Sequence, residues 1–179
     1  MEKQLIIAGF GGQGVLLIGQ LLAYAGMLDG KEVSWMPAYG PEMRGGSANC
    51  SVVISDEKVG SPKVESADVV IAMNRPSMEL FEKSVAPGGM LLYNSSLIDT
   101  KPTRTDISVY AVPCNEIAET LKSQKVANMA MLGAYLGVTE QFTIDAMMDA
   151  LRHKLGPGKE KFMPLNQAAI EEGIKAVKA

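Results

Sequence analysis

Two glycine-bearing stretches carry most of the chemistry this sequence could perform. The first, "GFGGQG" (Gly9 to Gly14), follows the apolar run Leu5-Ile6-Ile7-Ala8 and leads into Val15-Leu16-Leu17-Ile18-Gly19-Gln20-Leu21-Leu22. A strand, a glycine turn and a helix in that order make an anion cradle. One glycine permits the tight bend, a second lets backbone approach a phosphate, and a third lets strand and helix pack closely. Gly9, Gly11 and Gly14 take those places, Gly12 adds freedom, and Gln13 completes the turn. The alternative is a sharp turn that only packs against another chain.

The second stretch, "YGPEMRGGSANC" (Tyr39 to Cys50), combines a Gly-Pro turn, Glu42 and Arg44 two residues apart, and Gly45-Gly46 before a strand. Arg44 could grip a phosphate or carboxylate with two parallel N–H bonds, and Gly45 and Gly46 would let backbone amides approach the same anion. Alternatively, Glu42 and Arg44 pair across a subunit contact. Asn74, closing the run "SADVVIAMN", is a further candidate crevice residue.

Other reactive side chains are few. Cys50 and Cys114 are far apart and form no C-x-x-C, which argues against a cluster or a zinc site and suits a reducing cytoplasm. Both read as small buried hydrophobes, although the position of Cys114 at a strand end could turn it toward the crevice. His153, the one histidine, falls on a charged helical edge and reads as solvated. No residue stands out as catalytic or as a metal ligand. The twelve methionines suit adaptable packing.

Positioning these loops requires alternating strands and helices. Strands are predicted at 4–9, 31–36 (ended by Pro37), 51–55, 66–74, 90–94 and 107–112, with 38–50 as loop and 87–89 as turn. Helices are predicted at 13–28, 77–85, 115–122, 127–136, 143–155 and 165–177. The order predicts an α/β fold: a single Rossmann-like domain over residues 1–179, its sheet mainly parallel, with helices on both faces. The 179 residues suffice for one sizeable core, with 47% apolar and 21% charged residues typical of a soluble globular chain. A net charge of −3 offers no nucleic-acid surface, and the start resembles no signal peptide. No apolar run is long enough to span a membrane, so a cytoplasmic location is expected.

An ordinary NAD site is disfavoured. The acid that would hold the ribose should close the second strand, where Val33-Ser34-Trp35-Met36-Pro37 has none.

Together, "GFGGQG" and "YGPEMRGG" resemble the gamma subunit of the 2-oxoacid:ferredoxin (or acceptor) oxidoreductases. "ADVVIAMN", "APGGMLLYNSSLI" and "VANMAMLGAYLG" extend the resemblance over essentially the whole chain. "GPEMRGG" looks nearest to the 2-oxoglutarate and branched-chain 2-oxoacid types. The resemblance implies a complex that oxidatively decarboxylates a 2-oxoacid, joins the acyl group to coenzyme A and passes electrons to ferredoxin. It places thiamine diphosphate and iron–sulfur clusters on partner subunits (alpha and beta, with a ferredoxin-like delta as a further candidate). It associates this subunit with the coenzyme A side, at Gly9, Gly11, Gly12, Gln13, Gly14, Arg44, Gly45, Gly46 and Asn74, and expects no activity from the chain alone. Two other classes remain: a free-standing dinucleotide-binding sensor or regulatory module, and a complete small NAD-dependent enzyme.

Overall fold

The computed structural model describes residues 1–39 and 46–179. Its frame is a six-stranded sheet in the order β2-β3-β1-β4-β5-β6. The strands are β1 (Glu2–Phe10), β2 (Glu32–Tyr39), β3 (Ser47–Ser55), β4 (Ala67–Ala72), β5 (Val85–Asn94) and β6 (Ser108–Val112). The helices are α1 (Val15–Leu28), α2 (Arg75–Phe81), α3 (Cys114–Thr120), α4 (Ala127–Thr139), α5 (Ile144–Leu155) and α6 (Met163–Lys178).

Strands β1, β4, β5 and β6 pair in parallel, whereas β3 runs antiparallel to both β1 and β2. β3 alone opposes the other five, so the sheet is mainly parallel, as its buried apolar strands suggest. Leu5, Ile7, Val52, Val69, Ile71 and Leu92 face one core with residues of α1, α3, α4, α5 and α6. Ile6, Val53, Val70 and Leu91 face a second, smaller core with Met78 of α2. Helices therefore cover both faces, unequally.

Close approaches set the packing. On α1, a Cβ on Gly19 would sit 2.5 Å from Cys50 Sγ, and one on Gly26 would sit 2.9 Å from a Val33 methyl. The helix lies against β2 and β3 because those positions are bare. Helix α4 is buried without interruption from Ala127 to Leu136, as a helix enclosed by others must be.

Several expectations need correction. Pro37 does not end β2; the strand continues to Tyr39, with Pro37 opposite Cys50. β2 is an edge strand, where a missing N–H need not break the ladder. The segment 38–50 is not all loop, since β3 already begins at Ser47. The turn at 87–89 is a bulge within β5: Ala67 pairs with Val85 and Val69 with Met90, and Gly88 at φ +80° carries the bend. Helix α2 starts two residues earlier than expected because Asn74 caps it, and it ends at Phe81. Helix α4 runs on to Thr139, where Glu140 adopts a left-handed conformation.

Candidate functional site

The glycine loop bridges β1 and α1 at the carboxyl ends of the parallel strands. Gly12 and Gly14 have φ of +92° and +76°, a region costly for side chains that carry a Cβ. Space is a second constraint at two positions. A Cβ on Gly14 would fall 2.3 Å from Asn128 Nδ2, and one on Gly9 would fall 2.6 Å from Gln13 Oε1. Helix α1 begins without a side-chain cap and with no acidic residue in its first turn. Its leading amides and the positive end of its dipole therefore remain available to an anion.

The loop has a cleft on each side. One, of about 340 Å³, is bounded by Phe10, Gly11, Gly12, Gly14, Tyr39 and Gly46 among others. The other, of about 220 Å³, is bounded by Gly12, Gln13, Asn115, Gln124, Lys125 and Asn128 among others. Neither is lined by an acid, a histidine or a cysteine among the described residues. Their backbone and side-chain amides bind and orient, and Tyr39 and Lys125 add groups of a type that can also transfer protons.

A strip of side-chain amides holds this edge in shape. Gln13 Oε1 accepts from the Phe10 amide at 2.7 Å and from Asn74 Nδ2 at 3.2 Å. Gln13 Nε2 donates to the Met73 carbonyl, which also accepts from Asn94 Nδ2, both at 3.3 Å. Asn94 Nδ2 donates to Asn115 Oδ1 at 2.7 Å, and Asn115 Nδ2 donates to Gln124 Oε1 at 3.0 Å. The strip thus ties the turn after β1 to the ends of β4, β5 and β6. Being uncharged, these amides can be buried cheaply once paired.

The sequence-predicted site residues divide accordingly. Gly9, Gly11, Gly12, Gln13 and Gly14 form the turn, and Gly46 joins it, its carbonyl accepting from the Gly11 amide at 2.8 Å. Arg44 and Gly45 lie outside the described residues. Asn74 is 3% exposed, and its Oδ1 accepts from the Ser77 amide at the start of α2. It is occupied in capping and in bracing Gln13. Gln13 likewise spends its side chain internally. Asn94, Asn115 and Gln124 were missed; Asn94 and Asn115 are amides at or soon after the end of an apolar strand, whereas Gln124, beyond α3, carries no such signal.

Cys114 does not face the crevice: it is fully buried, and so is Cys50. Burial pushes the Cys50 thiol up to about 12 and the Cys114 thiol upward as well. Neither forms thiolate at neutral pH. The folded chain at pH 8 is therefore expected to leave both thiols unmodified by an aromatic disulfide reagent, with both reacting once denatured. Rapid labelling of either in the native state would contradict their burial. His153 stacks on Tyr24 with ring centroids 4.7 Å apart, away from the glycine loop.

The topology also bears on dinucleotide binding. β3 separates β1 from β2, so β2 is not the adjacent strand that would carry a ribose-binding acid, and the residue its end brings to the glycine turn is Tyr39.

A model of the family described as pyruvate ferredoxin/flavodoxin oxidoreductase matches residues 4–176. Ketoisovalerate oxidoreductase subunit VorA of Methanothermobacter marburgensis is 42% identical over 174 residues, covering 96% of this chain and 36% of VorA. The chain thus spans about a third of the length of that relative. 2-Oxoglutarate synthase subunit KorC of Methanocaldococcus jannaschii is 34% identical over 181 residues, covering 99% of this chain and 95% of KorC. Among solved structures, a keto/oxoacid ferredoxin oxidoreductase gamma subunit from Geobacter sulfurreducens superposes with a TM-score of 0.82 at 28% identity over 98% of both chains. The 2-oxoglutarate:ferredoxin oxidoreductase of Magnetococcus marinus, with 2-oxoglutarate, coenzyme A and succinyl-CoA bound, gives 0.89 at 26% identity over 99% of this chain and 31% of that one.

Proposed function

We infer that this chain, which belongs to the pyruvate ferredoxin/flavodoxin oxidoreductase family, is the gamma subunit of a multi-subunit 2-oxoacid:ferredoxin oxidoreductase. The observation that carries the inference is end-to-end correspondence with a gamma subunit, 98% of each chain being matched. The clefts support the same role, since the amides of the glycine turn, Lys125 and the uncapped start of α1 suit an anion.

The complex would decarboxylate a 2-oxoacid, transfer the acyl group to coenzyme A and reduce ferredoxin. Thiamine diphosphate and iron–sulfur clusters would be held by the alpha and beta subunits or by a ferredoxin-like delta. Residues of this chain do not fit them: the described residues contain no group of three or more metal-ligating side chains, and both cysteines are buried. This chain would instead serve coenzyme A, with the Gly9–Gly14 turn and the start of α1 facing a phosphate. Support comes from the Magnetococcus enzyme, which has coenzyme A bound and a closely similar fold. Identity of 42% with VorA against 34% with KorC favours a branched-chain 2-oxoacid over 2-oxoglutarate. No helix among the described residues is long and apolar enough to cross a membrane, which accords with a cytoplasmic complex. Residues 1–179 would act as one gamma-type domain.

The test is to express the chain alone and together with candidate alpha and beta subunits. Assays would use ketoisovalerate, 2-oxoglutarate and pyruvate with coenzyme A, thiamine diphosphate and a viologen acceptor. The chain alone is expected to give no turnover, and the copurified complex should be fastest with ketoisovalerate. Turnover by the isolated chain, or failure to copurify with a thiamine-diphosphate subunit, would overturn the proposal.

A further inference from the structure

Next to the smaller cleft, with which it shares Lys125 and Asn128, a groove of about 460 Å³ opens where α5 ends and α4 and α6 begin. Its apolar walls are Leu17, Val126, Leu151, Leu155, Phe162 and Leu165. Phe162 is 41% exposed, a large ring left at the surface. Lys159 and Lys161 place their Nζ atoms 5.6 and 5.1 Å from its centroid. Lys125 and Lys159 also border the groove, and no carboxylate does. None of these three lysines forms an ion pair among the described residues, unlike Lys31, Lys63, Lys175 and Lys178.

The helix ends reinforce that charge. Helix α4 starts here with no side-chain cap and no acid in the first turn, and α6 starts here after the turn Glu160–Phe162, whose acid Glu160 is paired with Arg152. By contrast α3 has Glu116, and α5 has the Thr143 cap and Asp145, whereas α1 is as bare as α4. Three ammonium groups and two positive helix ends thus gather around one apolar slot, on a chain whose net charge is −3.

We propose that this groove docks an acidic amphipathic segment of a partner protein. An apolar side chain of that segment enters the leucine-lined slot, and its carboxylates meet Lys125, Lys159 and Lys161 and the starts of α4 and α6. A protein segment suits the groove better than a phosphorylated small molecule. The walls are mostly hydrocarbon, with Ser123, Asn128 and Asn166 also lining the groove, and Lys125 belongs to a different segment from Lys159 and Lys161, which flank Phe162. The proposal goes beyond the gamma-subunit assignment and does not rest on it.

The test uses the full chain and a fluorescein-labelled amphipathic helical peptide, with Glu and Asp on one face and Leu and Phe on the other. Its Gln/Asn counterpart is the control, and binding is followed by anisotropy. The acidic peptide is expected to bind, more weakly as salt rises, and at least about tenfold more tightly than the amide peptide. Lys125→Gln combined with Lys159→Gln and Lys161→Gln should remove that preference. Phe162→Ser should weaken both peptides, with circular dichroism confirming that each variant is folded. No binding of the acidic peptide, equal binding of both peptides, or unchanged binding by the folded lysine variant would overturn the proposal. Displacement of the peptide by stoichiometric coenzyme A would also overturn it, by making the groove a ligand site. Because no turnover is read, each of these failures leaves the gamma-subunit assignment standing.

Discussion

Gly173→Ala is expected to destabilise the chain by about 3 kcal/mol, the upper end of the usual cost of overpacking a tight core. At this chain length that lowers the thermal midpoint by about 6–12 °C. The cause is the crossing of α4 and α6. A Cβ on Gly173 would lie 1.9 Å from the Ala130 carbonyl oxygen, and one on Gly133 would lie 2.0 Å from that of Ile170. In both cases the obstacle is backbone, which cannot rotate aside as a side chain can, so the helices must separate. Separation would loosen the packing of their own side chains, including Met129 and Met131 of α4 and Ile170 of α6, which are fully buried. Gly133→Ala should behave alike, and the double variant should cost less than the sum because one separation relieves both overlaps. Gly60→Ala is the control: its Cβ would meet nothing within 4 Å and its φ is unexceptional. That change should leave the midpoint within about 2 °C, since surface substitutions away from special features cost little. Urea and thermal unfolding of the four variants check the ranking. An unaltered midpoint for Gly173→Ala would mean that the two helices do not cross so closely.

The Gly133–Gly173 contact also shows what the sequence could not reveal. Both segments were expected to be helical, but nothing in either says which turns meet across 40 residues. Local signals fared better. The run before "GFGGQG" and the glycines within it specify β1, the turn and α1, because strand, bend and close approach each demand particular residue types nearby. The mainly parallel sheet was likewise legible, since β4 and the latter half of β5 are continuous apolar runs buried on both faces. The direction of β3 was not, because pairing partners are chosen by tertiary packing and β3 alternates no differently from a parallel strand. Asn74 shows the same limit at the site. An amide at a strand end announces a polar role, but only the fold shows that it caps α2 and braces Gln13 instead of facing the cleft. The cysteines were judged correctly as apolar, whereas the suggestion that Cys114 faces the crevice fails because α3 starts at that residue and turns it inward.

In the assembled enzyme, Gly12→Val and Arg44→Ala are expected to raise the KM for coenzyme A about ten- to hundredfold while leaving that for the 2-oxoacid nearly unchanged. The two changes act differently on one proposed site. Gly12 borders both clefts beside the turn, and a Cβ there would meet nothing within 4 Å. Valine at that position spoils no packing, but it places a branched side chain where backbone should approach a phosphate. Its φ of +92° adds strain of about 1–2 kcal/mol. Arg44 lies outside the described residues; Gly46, two residues on, is held at the glycine turn by the bond from the Gly11 amide to its carbonyl. Loss of a charge-assisted hydrogen bond from its guanidinium costs about 1.5–3 kcal/mol, which is the origin of the stated range. If these loops instead seal a contact between subunits, both variants should dissociate on size-exclusion chromatography, and whatever stays assembled should keep its normal coenzyme A dependence. Steady-state titration of coenzyme A at saturating 2-oxoacid, run beside that chromatography, distinguishes the two outcomes. Intact complexes of both variants with unchanged coenzyme A dependence would remove the loops from either role.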